Sequence, residues 1–129
     1  MENKQTVMII DDEIAILRLI GRMIAAAGYD TIQTQDGHEA LDILENLPTI
    51  PNLITLDLMM PNITGIEVLR KIKSNPTLAN IPVIILTAVG QQELLTEAET
   101  LGANAYLTKP FASSDLLNTI KDLIAKNSV

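Results

Sequence analysis

The sequence predicts an α/β domain: a parallel β-sheet covered by helices on both faces. Two observations carry this. Five short apolar runs alternate strictly with five segments of helical periodicity, the pattern of repeated β-α units with right-handed crossovers. One run, residues 82–86 (PVIIL), is apolar without interruption, as expected of a strand buried on both faces. The length, 129 residues, suits a single domain with a substantial core, and no linker or low-complexity stretch divides it.

Taken in order, Thr6–Ile10 (TVMII) is a β-rich run ending at Asp11-Asp12. Ile14, Leu17, Gly21 and Ile24 then recur at helical spacing, and Gly28 stops that helix. Asp30–Thr34 is a weaker, polar strand. Asp36 opens a second helix, with Glu39 at capping-box spacing; Ala40, Leu41, Leu44 and Leu47 form its apolar face, and Pro48 ends it. Residues 53–56 form a strand ending at Asp57. Thr64 and Glu67 fit a capping box for a third helix faced by Ile66, Leu69 and Ile72. The fourth strand, residues 82–86, ends at Thr87. Residues 91–101 read as a helix stopped by Gly102, and Ala105–Thr108 is a strand ending at Lys109-Pro110. Ser113 or Ser114 is placed to cap a last helix, faced by Leu116 or Leu117, Ile120, Leu123 and Ile124. After Lys126 only Asn127, Ser128 and Val129 follow, so the expectation is one domain over residues 1–129 with no output domain.

Composition narrows the function. The formal charge of −7, from 16 acids against 9 Lys and Arg, argues against a nucleic-acid binder that neutralises phosphates. The absence of Cys removes disulfides, thiol catalysis and thiolate-bound zinc. The single His, His38, leaves little for a His-rich metal site or a nucleophilic triad. No apolar run approaches the ~20 residues of a membrane span, and residues 1–6 are too polar for a signal peptide. A cytoplasmic location without a membrane partner is therefore expected.

In an open parallel sheet, ligands bind outside the carboxyl ends of the strands. Those ends carry Asp11, Asp12, Asp57, Thr87 and Lys109. Three adjacent carboxylates repel one another unless a cation neutralises them. An all-oxygen donor set with room for water suits Mg²⁺. A carboxylate beside such a metal can attack phosphorus and become an aspartyl phosphate. Lys109 and Thr87 would supply charge and a hydroxyl from other sides. Asp57, alone after its strand, is the better nucleophile candidate.

These residues resemble the receiver domains of two-component response regulators. The resemblance covers nearly the whole chain. It rests on Asp11-Asp12, on Asp57-Leu58-Met59-Met60-Pro61 with Gly65 beyond, and on Thr87-Ala88. It rests equally on Gly102-Ala103 and on Tyr106-Leu107-Thr108-Lys109-Pro110-Phe111, and no position departs from the pattern. The resemblance implies a flavodoxin-like, doubly wound sheet of order 2-1-3-4-5 with five helices. It implies that Asp57 takes a phosphoryl group from a histidine of a sensor kinase or phosphotransfer protein. Asp12 would bind Mg²⁺ (or Mn²⁺ in its place) directly, and Asp11 directly or through water. Asp57 and the backbone carbonyl of Met59 would complete the ligands. Lys109, Thr87 and the Ala88 backbone would hold the phosphoryl group. Thr87 and Tyr106 would switch the face made by the fourth helix, fifth strand and fifth helix, and the Lys109–Pro110 bond would be cis. The product is a signalling switch rather than an enzyme, acting as a monomer or a phosphorylation-dependent dimer on a downstream protein that the sequence does not name.

Other readings attach to the same residues. Asp11, Asp12 and Glu13 could be acids at a helix start. Thr87 could be an ordinary strand-end threonine, Lys109 a solvated loop charge and Tyr106 a packing residue. His38 suits a solvated surface role. Met59 suits packing or the shaping of water access, and Glu93, Glu97 and Glu99 suit solvation of the fourth helix. At the level of function, the alternative is a pseudo-receiver that binds partners without phosphorylation. A haloacid-dehalogenase-like phosphatase would place its nucleophile after the first strand. A flavodoxin-type carrier would not put two carboxylates where a flavin phosphate binds.

Overall fold

The computed structural model describes residues 4–127. Residues 1–3, part of the polar start, lie outside the described residues, as do Ser128 and Val129. Five strands and five helices alternate as the periodicity predicts. They are β1 (Thr6–Ile10), α1 (Ile14–Ala26), β2 (Asp30–Thr34), α2 (Gly37–Asn46) and β3 (Leu53–Asp57). The second half holds α3 (Gly65–Ser74), β4 (Val83–Thr87), α4 (Gln92–Thr100), β5 (Ala105–Thr108) and α5 (Ser113–Asn127). The sheet is parallel throughout, in the order β2-β1-β3-β4-β5.

The sheet separates two apolar layers because successive side chains point to opposite faces. Val7, Ile9, Leu53, Ile84 and Leu86 pack against α1 and α5. Met8, Ile10, Ile54, Leu56, Val83 and Ile85 pack against α2, α3 and α4. The three inner strands are therefore apolar on both sides, whereas the edge strands β2 and β5 are only partly buried. The order of pairing turns at β1: β2 lies on one side of it and β3 on the other. That turning point opens a crevice at the carboxyl ends of β1 and β3, where Asp11, Asp12 and Asp57 stand.

Several local expectations are corrected. Ile14 is 44% exposed, and Ile20 joins Leu17, Gly21 and Ile24 on the buried side of α1. β4 starts at Val83, since Pro82 has no N–H to give and contributes only its carbonyl, which accepts from Ile54 N. Neither Ser113 nor Ser114 caps α5. Both lie within the helix, and the Ala112 carbonyl already accepts from the Asp115 and Leu116 amides. The capping boxes are half formed. Asp36 accepts from His38 N, but Glu39 is drawn to the Thr34 hydroxyl, which also receives Asp36 N. Thr64 accepts from Glu67 N at 3.3 Å, while the Glu67 carboxylate turns to Arg70.

Candidate functional site

Strand register sets the site. Ile10 pairs with Leu56, so Asp11 emerges beside Asp57; Asp57 pairs with Leu86, one residue before Thr87. Thr87 pairs with Thr108, and the Lys109 amide donates to the Thr87 carbonyl at 2.7 Å. Four strand ends thus deliver their polar residues to one crevice. Carboxylate oxygens of Asp11, Asp12 and Asp57 lie within 4.8 Å of one another.

Each group is held by identifiable contacts. Asp11 is fully buried; its Oδ1 accepts from Glu13 N at 3.0 Å and its Oδ2 from Lys109 Nζ at 2.9 Å. The Asp12 carbonyl accepts from Gln35 Nε2 at 3.1 Å. Asp57 Oδ1 accepts from Met59 N at 3.3 Å, and its Oδ2 stands 3.6 Å from Lys109 Nζ. Gly65 allows α3 to start against this strand end. A Cβ there would lie 2.3 Å from the Asp57 carbonyl oxygen, and the Gly65 amide donates to the Leu58 carbonyl at 2.9 Å.

Burial is the chief reason that the Asp57 pKa rises to about 6. Lys109 pulls it down, Asp11 pushes it up, the Met59 amide lowers it and Asp12 raises it. For Lys109, burial alone would favour the neutral amine. The hydrogen bond to Asp11 and the charges of Asp57, Asp11 and Glu13 outweigh it, so the ammonium is held more firmly than usual.

The remaining candidates are near but not all are turned inward. The Thr87 hydroxyl is buried and donates to Gln91 Oε1 at 2.6 Å, and the Ala88 amide donates to the same oxygen at 2.9 Å. Met59 is 53% exposed. Tyr106 is 51% exposed and lines a cavity of about 300 Å³ with Thr87, Gln91, Leu95 and Thr108. The Lys109–Pro110 peptide is cis. Sequence reasoning passed over Gln91, because a glutamine at a helix start carries no motif of its own. Of the acids expected to solvate α4, Glu97 also pairs with Arg70 of α3, at 3.2 Å.

The donor set fits a hard divalent ion. Ligand oxygens about 2.1 Å from an octahedral Mg²⁺ lie roughly 3–4 Å apart, and the three carboxylates approach that spacing without rearrangement of the strands. Charge points the same way, since one ammonium faces three carboxylates.

Known proteins resemble this chain over most of its length. Residues 7–121 match the family model described as response regulator receiver domain. The chain is 36% identical over 126 residues to the probable transcriptional regulator ycf27 of Cyanophora paradoxa, covering 96% of this chain but 50% of that protein. It is 35% identical over 123 residues to the polar-differentiation response regulator DivK of Brucella anthropi, covering 93% of this chain and 96% of that one. A crystal structure of a response regulator receiver domain protein from Clostridium thermocellum superimposes with a TM-score of 0.88 at 31% identity, covering 96% of this chain and 97% of that one. The chain thus spans about half the length of the transcriptional regulators it matches and nearly the whole of DivK. With the sheet order, the acidic crevice and this match over most of its length all in agreement, the chain belongs to the response regulator receiver domain family, whose members are signalling modules rather than enzymes.

Proposed function

We propose that Asp57 is the phosphoacceptor, and that the donor is a phosphohistidine of a sensor kinase or phosphotransfer protein. One observation carries this: a buried carboxylate at the centre of the crevice, 3.6 Å from an ammonium and beside two further carboxylates. An Asp57 oxygen attacks phosphorus while the P–N bond to the donor imidazole breaks. The imidazole leaves with the bonding electrons and takes a proton from solvent. At neutral pH Asp57 is mostly ionised and so able to attack, because about 6 lies below 7.

Asp11, Asp12, Asp57 and the Met59 carbonyl would hold Mg²⁺, or Mn²⁺ in its place. Bound there, the ion would neutralise negative charge on the carboxylates and on the transferring phosphoryl oxygens. Lys109 is supported by Asp11, which fixes its Nζ within reach of an oxygen on Asp57. The Thr87 hydroxyl and Ala88 amide are the donors assigned to the phosphoryl group, and Tyr106 the residue that follows Thr87. The consequence is an altered α4-β5-α5 face for a downstream protein, in a monomer or a phosphorylation-dependent dimer. Among the described residues no helix is long and apolar enough to cross a membrane.

The test is intact-mass spectrometry after incubation with Mg²⁺ and acetyl phosphate. A single phosphoryl adduct, lost in Asp57→Asn, is expected. An adduct that survives the substitution would move the site elsewhere. No adduct from acetyl phosphate or from a phosphorylated histidine donor would leave the chain a pseudo-receiver.

A further inference from the structure

We propose that Gln91 is a positioning residue that occupies the phosphoryl-binding donors in the resting protein and sets how readily they are released. Its Oε1 accepts from the Thr87 hydroxyl at 2.6 Å and from the Ala88 amide at 2.9 Å. The inference rests on the assignment of those two donors to the phosphoryl group.

The occupancy is exclusive. A backbone N–H carries one hydrogen and a hydroxyl carries one. While both point at Gln91, neither is available to an oxygen on Asp57. The amide also fixes the identity of the Gln91 atom, since an N–H can donate only to the oxygen of a carboxamide. Gln91 therefore imitates one oxygen of a phosphoryl group, without its charge. Hydrogen bonds to a charged oxygen are roughly twice as strong as those to a neutral one. An acyl phosphate can thus displace Gln91, but only against its resistance, and the competition lowers apparent affinity for the phosphorylated form.

Displacement would also be felt beyond the crevice. Gln91 is the N-cap residue of α4, and its own carbonyl accepts from Leu95 N at 3.0 Å. Leu95 and Tyr106 both line the cavity that Gln91 borders. Freeing this side chain unties Thr87 from the start of α4, beside the space into which Tyr106 would turn. Gln91 makes no side-chain cap to its own helix, so replacing it removes no helix cap.

Beryllofluoride, which adds to a carboxylate as a phosphoryl mimic, provides the probe. It is titrated with Mg²⁺ into uniformly ¹⁵N-labelled wild type, Gln91→Leu and Gln91→Glu, followed by amide resonances. Gln91→Leu deletes the acceptor, and half-saturation is expected at about tenfold lower beryllofluoride, the factor conferred by one net hydrogen bond. Gln91→Glu makes the acceptor anionic and should raise half-saturation about tenfold by the same measure. In the free protein the Ala88 amide resonance should move upfield in Gln91→Leu as its hydrogen bond is lost. Damage to the fold would weaken binding in both variants, so opposite signs identify the competition. If both variants bind as wild type does, or Gln91→Leu binds more weakly, the Gln91 proposal is wrong while the phosphoacceptor reading stands. If wild type shows no Mg²⁺-dependent response that Asp57→Asn abolishes, the phosphoacceptor reading fails and takes this proposal with it.

Discussion

Thr55 and Asp57 lie two residues apart on β3 and point to the same side of the sheet. Both are buried, at 0% and 6% exposure. Their surroundings differ completely. The Thr55 hydroxyl, in the middle of the strand, is the one buried side-chain polar atom among the described residues that has no hydrogen-bond partner. Asp57, at the strand's end, faces an ammonium, a backbone amide and two more carboxylates. A polar atom in the middle of the sheet is a solitary penalty, diluted by an apolar layer. At the carboxyl end polar groups are gathered so that three carboxylates face one ammonium, and the deficit of positive charge is one that a cation can make up.

The largest expected effect comes from disturbing the packing of that end. Gly65→Ala would put a methyl group 2.3 Å from the Asp57 carbonyl oxygen and 2.6 Å from Leu58 Cα. Because the obstruction is backbone, α3 must shift away from β3. A loss of about 3 kcal/mol in chemical unfolding is expected, together with slower phosphorylation by acetyl phosphate. Wild-type stability in this variant would show that the strand end is loosely held.

Asp57→Asn tests the penalty itself. A carboxylate whose folded pKa is raised from 3.8 to about 6 binds protons more readily folded than unfolded. Its contribution to stability therefore falls as pH rises from about 4 through 6, and the full penalty stands at neutral pH. Without Mg²⁺, Asp57→Asn should be more stable than wild type by up to about 3 kcal/mol at pH 7. The gap should close on acidification towards pH 4. A gap that stays constant with pH would mean that the charge of Asp57 is not what the fold resists.

Thr55→Val is the smallest and sharpest contrast. It replaces an unpartnered hydroxyl by a methyl group of similar size. Stability should be unchanged or higher by up to about 1 kcal/mol, with phosphorylation unaffected. A clear loss would reveal a polar partner for Thr55 and erase the contrast with Asp57.

The strand ends were legible because they follow from periodicity alone. Once each apolar run is a parallel strand, Asp11, Asp57, Thr87 and Lys109 must fall on one edge, and the chain need not be seen to know it. Side-chain competition was not legible. Glu39 has the spacing of a capping box, yet Thr34, brought alongside by the end of β2, takes its carboxylate. Ser113 and Ser114 look like caps, but the turn through Ala112 begins the helix first. Ile14 has helical phase with Leu17, yet as the first residue of α1 it is left 44% exposed. Gln91 was missed for the same reason. Its importance lies in which two donors it meets, and no spacing rule encodes that.

The short bond from the Lys109 amide to the Thr87 carbonyl carries one more consequence. It pins the backbone of Thr87 to β5 just where the proposed function asks the side chain to change partners. On the proposed function, Thr87 would exchange Gln91 for a phosphoryl oxygen by rotation of its side chain, one staggered well to another, and not by movement of its backbone. In exposed side chains such rotations take picoseconds to nanoseconds, but Thr87 is buried, so its rotation must wait for its neighbours to give way; collective movements of helices take microseconds or longer. The local reply to phosphorylation would keep pace with those neighbours rather than with the formation of the new bond. How quickly the protein answers its signal would then be governed by the arrival of the donor and the slower settling of α4.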